Sequence, residues 1–205
     1  MERLASPKRV LFLGPKDAPT GRLLTELGEE VIQIEDPLER SWIEQMNPDF
    51  IVSHGYRHIV PAEILEMFPG RAINLHISLL PWNRGADPNL WSFIDRTPKG
   101  VTIHHMSPSV DAGDLIAQMP VEPEPDDTLA TSYQRLQDAV VNLLREHWPR
   151  IREGDAPRVP QPSGGSYHRS TDIEAVRDLL TRGWDTPVRE LEGRTGRGPK
   201  AASTP

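Results

Sequence analysis

The sequence predicts an α/β fold with a mostly parallel, twisted and doubly wound sheet, and three observations carry that expectation. Short apolar runs recur through the first half of the chain. Helical patterns separate them at the spacing of strand-helix-strand units. Proline and glycine punctuate the junctions, with 21 and 15 of them in 205 residues.

Lys8 to Gly14 is a short apolar run ending in glycine, the first buried strand. The loop Gly14 to Gly21 opens a helix that runs to about Gly28. It matches neither GxGxxG nor a P-loop, so it reads as a plain connection rather than a phosphate cradle. Val31 to Ile34 forms strand two, and Pro37 to Met46 a helix with Leu38, Trp42, Ile43 and Met46 as its apolar positions. Asp49 to Ser53 is strand three. The segment His54 to Pro61 lies past its carboxyl end, where open α/β sheets bind ligands; alone, Arg57 and His58 would be solvent-facing loop residues. Pro61 to Met67 is a short helix closed by Gly70.

Ala72, Ile73 and Leu75 then read as a buried strand interrupted by Asn74 and His76. Two residues apart on a strand, these polar side chains share one face. Pro81, Gly85 and Pro88 break the run into a loop, and Asp87-Pro88 looks like a helix start. Val101 to Met106 is β-branched enough for a strand. Ser107 to Asp114 is a loop carrying Asp111 and Asp114, and Leu115 to Val121 a strand that pairs antiparallel across it. After an acidic, proline-rich connection, Thr128 to Pro149 carries Leu129, Tyr133, Leu136, Val140, Leu143, Leu144 and Trp148 at helical spacing, capped by Asp126 or Asp127. An extended segment with Pro157, Pro160 and Pro162 follows, then a short helix from Asp172 to Leu180. Residues 1–150 are expected to form the main domain, 151–188 an extension packed on it, and 189–205 a disordered tail.

Composition narrows the function. A net charge of -7 argues against a general nucleic-acid binder. Without cysteine there are no disulfides, thiolate metal sites or cysteine nucleophiles. No apolar run reaches the length of a membrane span and no signal-peptide core is visible, so the chain reads as cytoplasmic. Of the seven histidines, His104 and His105 are adjacent and so point to opposite faces of a strand, and His54 and His58 lie in a loop; no metal site is expected. Asn74, His76 and Asp111 are a different matter. An amide N–H and an imidazolium can stabilise an oxyanion, and a carboxylate can support the imidazole or help remove a proton. That set suits acyl transfer to an amine without a covalent enzyme intermediate.

The order Asn74-Leu-His76-Ile-Ser-Leu-Leu-Pro81, then Arg84-Gly85-Ala86, Gly100-Val-Thr-Ile-His104 and Asp111-Ala-Gly-Asp-Leu-Ile116 resembles the N10-formyltetrahydrofolate-dependent formyltransferases over about Val10 to Trp148. The resemblance implies a Rossmann-like catalytic domain using N10-formyltetrahydrofolate as co-substrate, with Asn74, His76 and Asp111 as the catalytic set. It implies that Arg57, His58 and Ile59, with His104, Ser107 and Val110, hold the folate. Ser78, Trp82, Arg84 and Gly85 would line the acceptor side, and Tyr167, His168 and Arg169 are further candidates there. The segments Leu79 to Phe93, Gly165 to Ser170 and Gly183 to Pro187 resemble small sugar N-formyltransferases, which implies an amino sugar or another small amine as acceptor.

The other acceptors fit less well. Methionyl-tRNA formyltransferases carry a C-terminal tRNA-binding domain, whereas the part of this chain after Trp148 is short. Glycinamide ribonucleotide formyltransferases show a proline after the catalytic histidine and a glycine-rich nucleotide loop, where this chain has Ile77 and Gly14-Pro15. Formyltetrahydrofolate hydrolases carry an N-terminal regulatory domain, and this chain starts at strand one. A non-catalytic folate-binding protein would not need all three of Asn74, His76 and Asp111. The sequence leaves the oligomeric state open, a homodimer included.

Overall fold

A computed structural model describes residues 6–194 of the chain. Six strands form one sheet in the order β2-β1-β3-β4-β6-β7: β1 (Arg9–Leu13), β2 (Glu30–Ile34), β3 (Phe50–Ser53), β4 (Ala72–His76), β6 (Gly100–His105) and β7 (Leu115–Pro120). β1 to β4 run parallel, each joined to the next by a helix: α1 (Pro19–Glu26), α2 (Arg40–Met46) and the short α3 (Ala62–Leu65). β6 is antiparallel to β4, and β7 to β6. A parallel strand beside β4 would need a crossover; the loop and α4 (Pro88–Ile94) return the chain reversed instead.

Strand alternation builds the two faces. Val10, Phe12, Val52, Ile73, Leu75, Val101 and Ile103 pack against α5 (Leu129–Arg152), through Leu136, Val140, Leu143, Leu144 and Trp148. On the other face Leu11, Leu13, Ile51 and Ala72 meet Ile43 of α2 and Ile64 of α3. Because Ile73 and Leu75 serve the α5 face, Asn74 and His76 face the other way.

Several boundaries differ from the sequence reading. α2 begins at Arg40 rather than Pro37. The cap of α5 is Thr128, whose Oγ1 accepts from the Thr131 N–H at 3.3 Å in a reciprocal capping box. Asp127, expected as a cap, instead accepts from the Glu124 N–H, the Thr131 hydroxyl and Arg135. α5 continues through Pro149 to Arg152. The lost N–H there is offset by the burial of Trp148 and Ile151 and by Arg152 pairing with Glu29.

The extension is tied to the main domain by a two-stranded parallel ribbon, β5 (Arg84–Gly85) with β8 (Tyr167–His168). The helix expected at Asp172 to Leu180 is a 3-10 helix over Ser170–Leu179. Val176, Val188 and Leu191 pack on Leu90, Phe93 and Ile94 of α4. The disordered tail expected from 189 does not hold up to 194: Leu191 is fully buried and the Gly193 N–H donates to the Ile94 carbonyl. Residues 195–205 lie outside the described part.

Candidate active site

Asn74 sits mid-strand on β4, directly opposite His104 on β6. β6 runs antiparallel to β4, so its carboxyl end lies at the opposite end of β4 from His76; the loop after it must fold back to bring Asp111 to the pair. That fold is enforced by close backbone packing. The His105 N–H donates to the Asp114 carbonyl at 2.8 Å, and a Cβ at Gly113 would fall 1.8 Å from the His105 carbonyl oxygen. Asp111 itself sits at φ +50, a left-handed conformation that aspartate tolerates better than most residues.

The result is a cluster of four side chains. Asn74 Nδ2 donates to Asp111 Oδ1 at 3.1 Å and to His104 Nε2 at 3.1 Å. His104 Nδ1 donates to the His105 carbonyl at 2.9 Å, which leaves Nε2 as the acceptor of the neutral ring. His76 Nε2 donates to the Asn83 carbonyl at 2.8 Å, so its Nδ1 faces Asp111 Oδ2 across 3.6 Å. The Gly85 N–H donates to Asp111 Oδ2 at 2.8 Å.

Burial works to raise the carboxyl of Asp111, but the charge of His76 first, with the Gly85 N–H, outweighs it. The acid is held well below the usual carboxylate range and stays ionised. His54, at the end of β3, is buried with Nδ1 3.0 Å from the Thr20 hydroxyl. Desolvation first, and the nearby His76 charge second, push it down to about 4.

The other expected site residues divide. Arg57 and His58 lie on the exposed loop after β3 with Ile59, which is 74% exposed. Val110, 40% exposed, flanks Asp111, and Ser107 donates to the Ser109 carbonyl. Among the described residues none of these five hydrogen-bonds to the cluster. His104, expected at the folate, is 2% exposed and belongs with Asn74 and Asp111 instead.

Ser78, expected on the acceptor side, is buried and closes a turn by donating to the Trp82 carbonyl at 2.7 Å. Gly85 reaches Asp111 by its backbone, at φ +88 and with a Cβ position 2.2 Å from the His168 carbonyl oxygen. Trp82 and Arg84 are half-buried beside it, and Tyr167 is exposed opposite Arg84. His168 is buried, stacked on Trp91 and hydrogen-bonded to Asp95, so its role is to hold the ribbon. Arg169 is exposed.

Asn83, Ser166 and Gln161 also support the cluster, and the sequence reading missed them. Asn83 at φ +54 has a weak local signal, asparagine before Arg-Gly in a turn. Ser166 and Gln161 have none. Among the described residues no group of three or more His, Asp or Glu is arranged to hold a metal ion, and no helix is long and apolar enough to cross a membrane.

A family model described as formyl transferase matches residues 29–147. The formyltransferase PseJ from Anoxybacillus kamchatkensis, solved in complex with UDP-4,6-dideoxy-4-formamido-L-AltNAc and tetrahydrofolate, is 48% identical. The match covers 91% of this chain and 98% of that one, with a TM-score of 0.86. A sugar N-formyltransferase from Shewanella sp. shares the fold at 24% identity, 82% and 79% coverage and a TM-score of 0.69. HypX from Aquifex aeolicus, in complex with tetrahydrofolic acid, shares it at 22% identity over 91% of this chain and 34% of that one, with a TM-score of 0.73.

Proposed function

The chain belongs to the formyl transferase family, and we propose that it moves a formyl group from N10-formyltetrahydrofolate to the primary amine of a nucleotide-linked amino sugar. The observation that carries this reading is the assembled Asn74-His76-Asp111 cluster, in a chain that is like PseJ over nearly all of both lengths. The UDP-4,6-dideoxy-4-formamido-L-AltNAc bound to PseJ supports, as the acceptor class, a UDP-linked 4-amino-4,6-dideoxy sugar. A flat pteridine ring has two exposed apolar side chains available to it, Ile59 and Val110, on the loops after β3 and β6.

In the transfer the amine nitrogen bonds to the formyl carbon, the bond from that carbon to N10 breaks, and a proton passes from the amine to N10. Protonated His76, whose Nδ1 lies 3.6 Å from Asp111 Oδ2, is the cation that stabilises the oxyanion. Asp111 balances that charge and accepts the amine proton, directly or through water. Both amide protons of Asn74 are committed to Asp111 and His104, so its role as an oxyanion donor requires one of those bonds to exchange for the formyl oxygen.

The test is incubation with N10-formyltetrahydrofolate and the UDP-linked amino sugar, followed by mass analysis of the sugar. A formamide product formed only when the amine is present is expected. Release of tetrahydrofolate without amine would make the protein a hydrolase, and no turnover with any amine would overturn the reading.

A further inference from the structure

We infer that the extension beyond α5 acts on the reaction through two positioning residues, Gln161 and Ser166, which hold Asp111 and His76 in their working orientation. This inference rests on the formyl-transfer reading above.

The first clamp is on Asp111. Val159 pairs with Leu115 through two backbone hydrogen bonds, 2.7 and 3.1 Å, and so fixes the extension beside the start of β7. Two residues on, Gln161 Nε2 donates to the carbonyls of Asp111 and of Gly113, each at 2.8 Å. Those carbonyls belong to the loop that must fold back across the sheet, and Asp111 holds a left-handed backbone within it. Gln161 Oε1 is buried without a partner, so the amide is anchored there by its donor side alone.

The second clamp is on His76. Ser166 is fully buried; its hydroxyl accepts from the Asn83 N–H at 2.9 Å and donates to Asn83 Oδ1 at 3.1 Å. Asn83 Nδ2 is held in turn by the Thr97 hydroxyl. The one polar group of Asn83 left to face the site is its carbonyl, which accepts from His76 Nε2. A carbonyl only accepts, so the proton of the neutral ring is kept on Nε2 and Nδ1 is left to face Asp111. The carboxylate by itself favours the opposite tautomer, with the proton on Nδ1 pointing at it. Asn83, set by Ser166, overrides that preference and keeps Nδ1 the nitrogen that gains and loses the proton.

The test uses the full chain with 15N-labelled histidine and the variants Ser166→Ala and Gln161→Glu. Gln161→Glu keeps the size but replaces the donor by acceptors facing two carbonyls. It carries the test if Ser166→Ala, at a fully buried site, does not fold. The expected result is a tenfold or larger drop in kcat with KM for both substrates within about twofold. In Ser166→Ala the nitrogen shifts of neutral His76 move from the Nε2–H pattern toward Nδ1–H, and in Gln161→Glu the pH profile of kcat is displaced. Unchanged kcat in the folded variants overturns the inference. So does a drop in kcat with the His76 shifts and pH profile unmoved, which would make the two residues merely structural. The nitrogen shifts need no substrate, so a wild-type protein inactive on every amine would sink the transfer reading while leaving the tautomer measurement decisive.

Discussion

Two buried carboxylates, Glu29 and Asp111, are handled in opposite ways by the same fold. Glu29 is closed in by donors at hydrogen-bond distance: the Lys8 N–H at 2.6 Å, Trp148 Nε1 at 2.8 Å and Arg152 Nε at 2.7 Å. Burial works to raise it, and Arg152, the Lys8 N–H and Trp148 together pull it below its ordinary value. It pins the start of β1 to the end of α5. Asp111 receives direct bonds from Asn74 and Gly85, but the two imidazoles stand off at 3.5 and 3.6 Å. Those distances are too long for a settled hydrogen bond. A structural acid is saturated by its partners. The acid of the site meets two ring nitrogens beyond hydrogen-bond length, so its lone pairs are left less fully engaged.

The comparison can be broken at either carboxylate. Asp111→Asn keeps the volume and the left-handed backbone but removes the charge opposite His76. Turnover is expected to fall by roughly 10²- to 10⁴-fold in a protein that still unfolds cooperatively, with a lowered melting temperature because the fold favours the ionised carboxyl; unaltered turnover would take Asp111 out of the mechanism. Glu29→Gln should spare turnover. It leaves Arg152 without its buried partner and costs about 2–3 kcal/mol in urea unfolding, with kcat unchanged. A loss of activity matching that of Asp111→Asn would erase the distinction.

The pH dependence of stability sharpens the same contrast. His54 is pushed down to about 4, so between about 6.5 and 4 the unfolded chain binds a proton that the folded chain does not. Its contribution is complete above about 6.5 and is lost as the pH falls through that window, roughly 3 kcal/mol in all. The groups facing His54 are Thr20 and His76, and the lowered carboxyl of Asp111 adds a loss in the same direction at more acid pH. Urea unfolding at stepped pH should show this slope, and His54→Gln should flatten it. At the small end stands the Arg9–Glu30 pair at 3.0 Å, which is half-exposed at both partners. Glu30→Gln should change stability by no more than about 0.5 kcal/mol. A larger effect would mean that a pair open to solvent matters as much as the closed one at Glu29.

Local patterning determined much of this molecule. The apolar runs of β1, β3 and β4 needed only their composition, because strands buried on both faces carry no other choice. The helical spacing from Leu129 to Trp148 marked α5, and the two-residue spacing of Asn74 and His76 placed both on one face whatever surrounded them. The motif order from Asn74 to Ile116 identified the family. What the tertiary structure alone decided are the relations between distant segments. The reversed direction of β6 set His104 opposite Asn74 and sent the Asp111 loop back across the sheet. Ser78, expected on the acceptor side, was drawn into a turn, and Leu191 found the surface of α4 that keeps residues up to 194 in place. Ser166 and Asn83 lie 83 positions apart, and no pattern within either segment encodes that the hydroxyl of one will set the carbonyl of the other. Periodicity reports which face of an element is buried; it carries no information on which donor meets which acceptor when two elements close on each other.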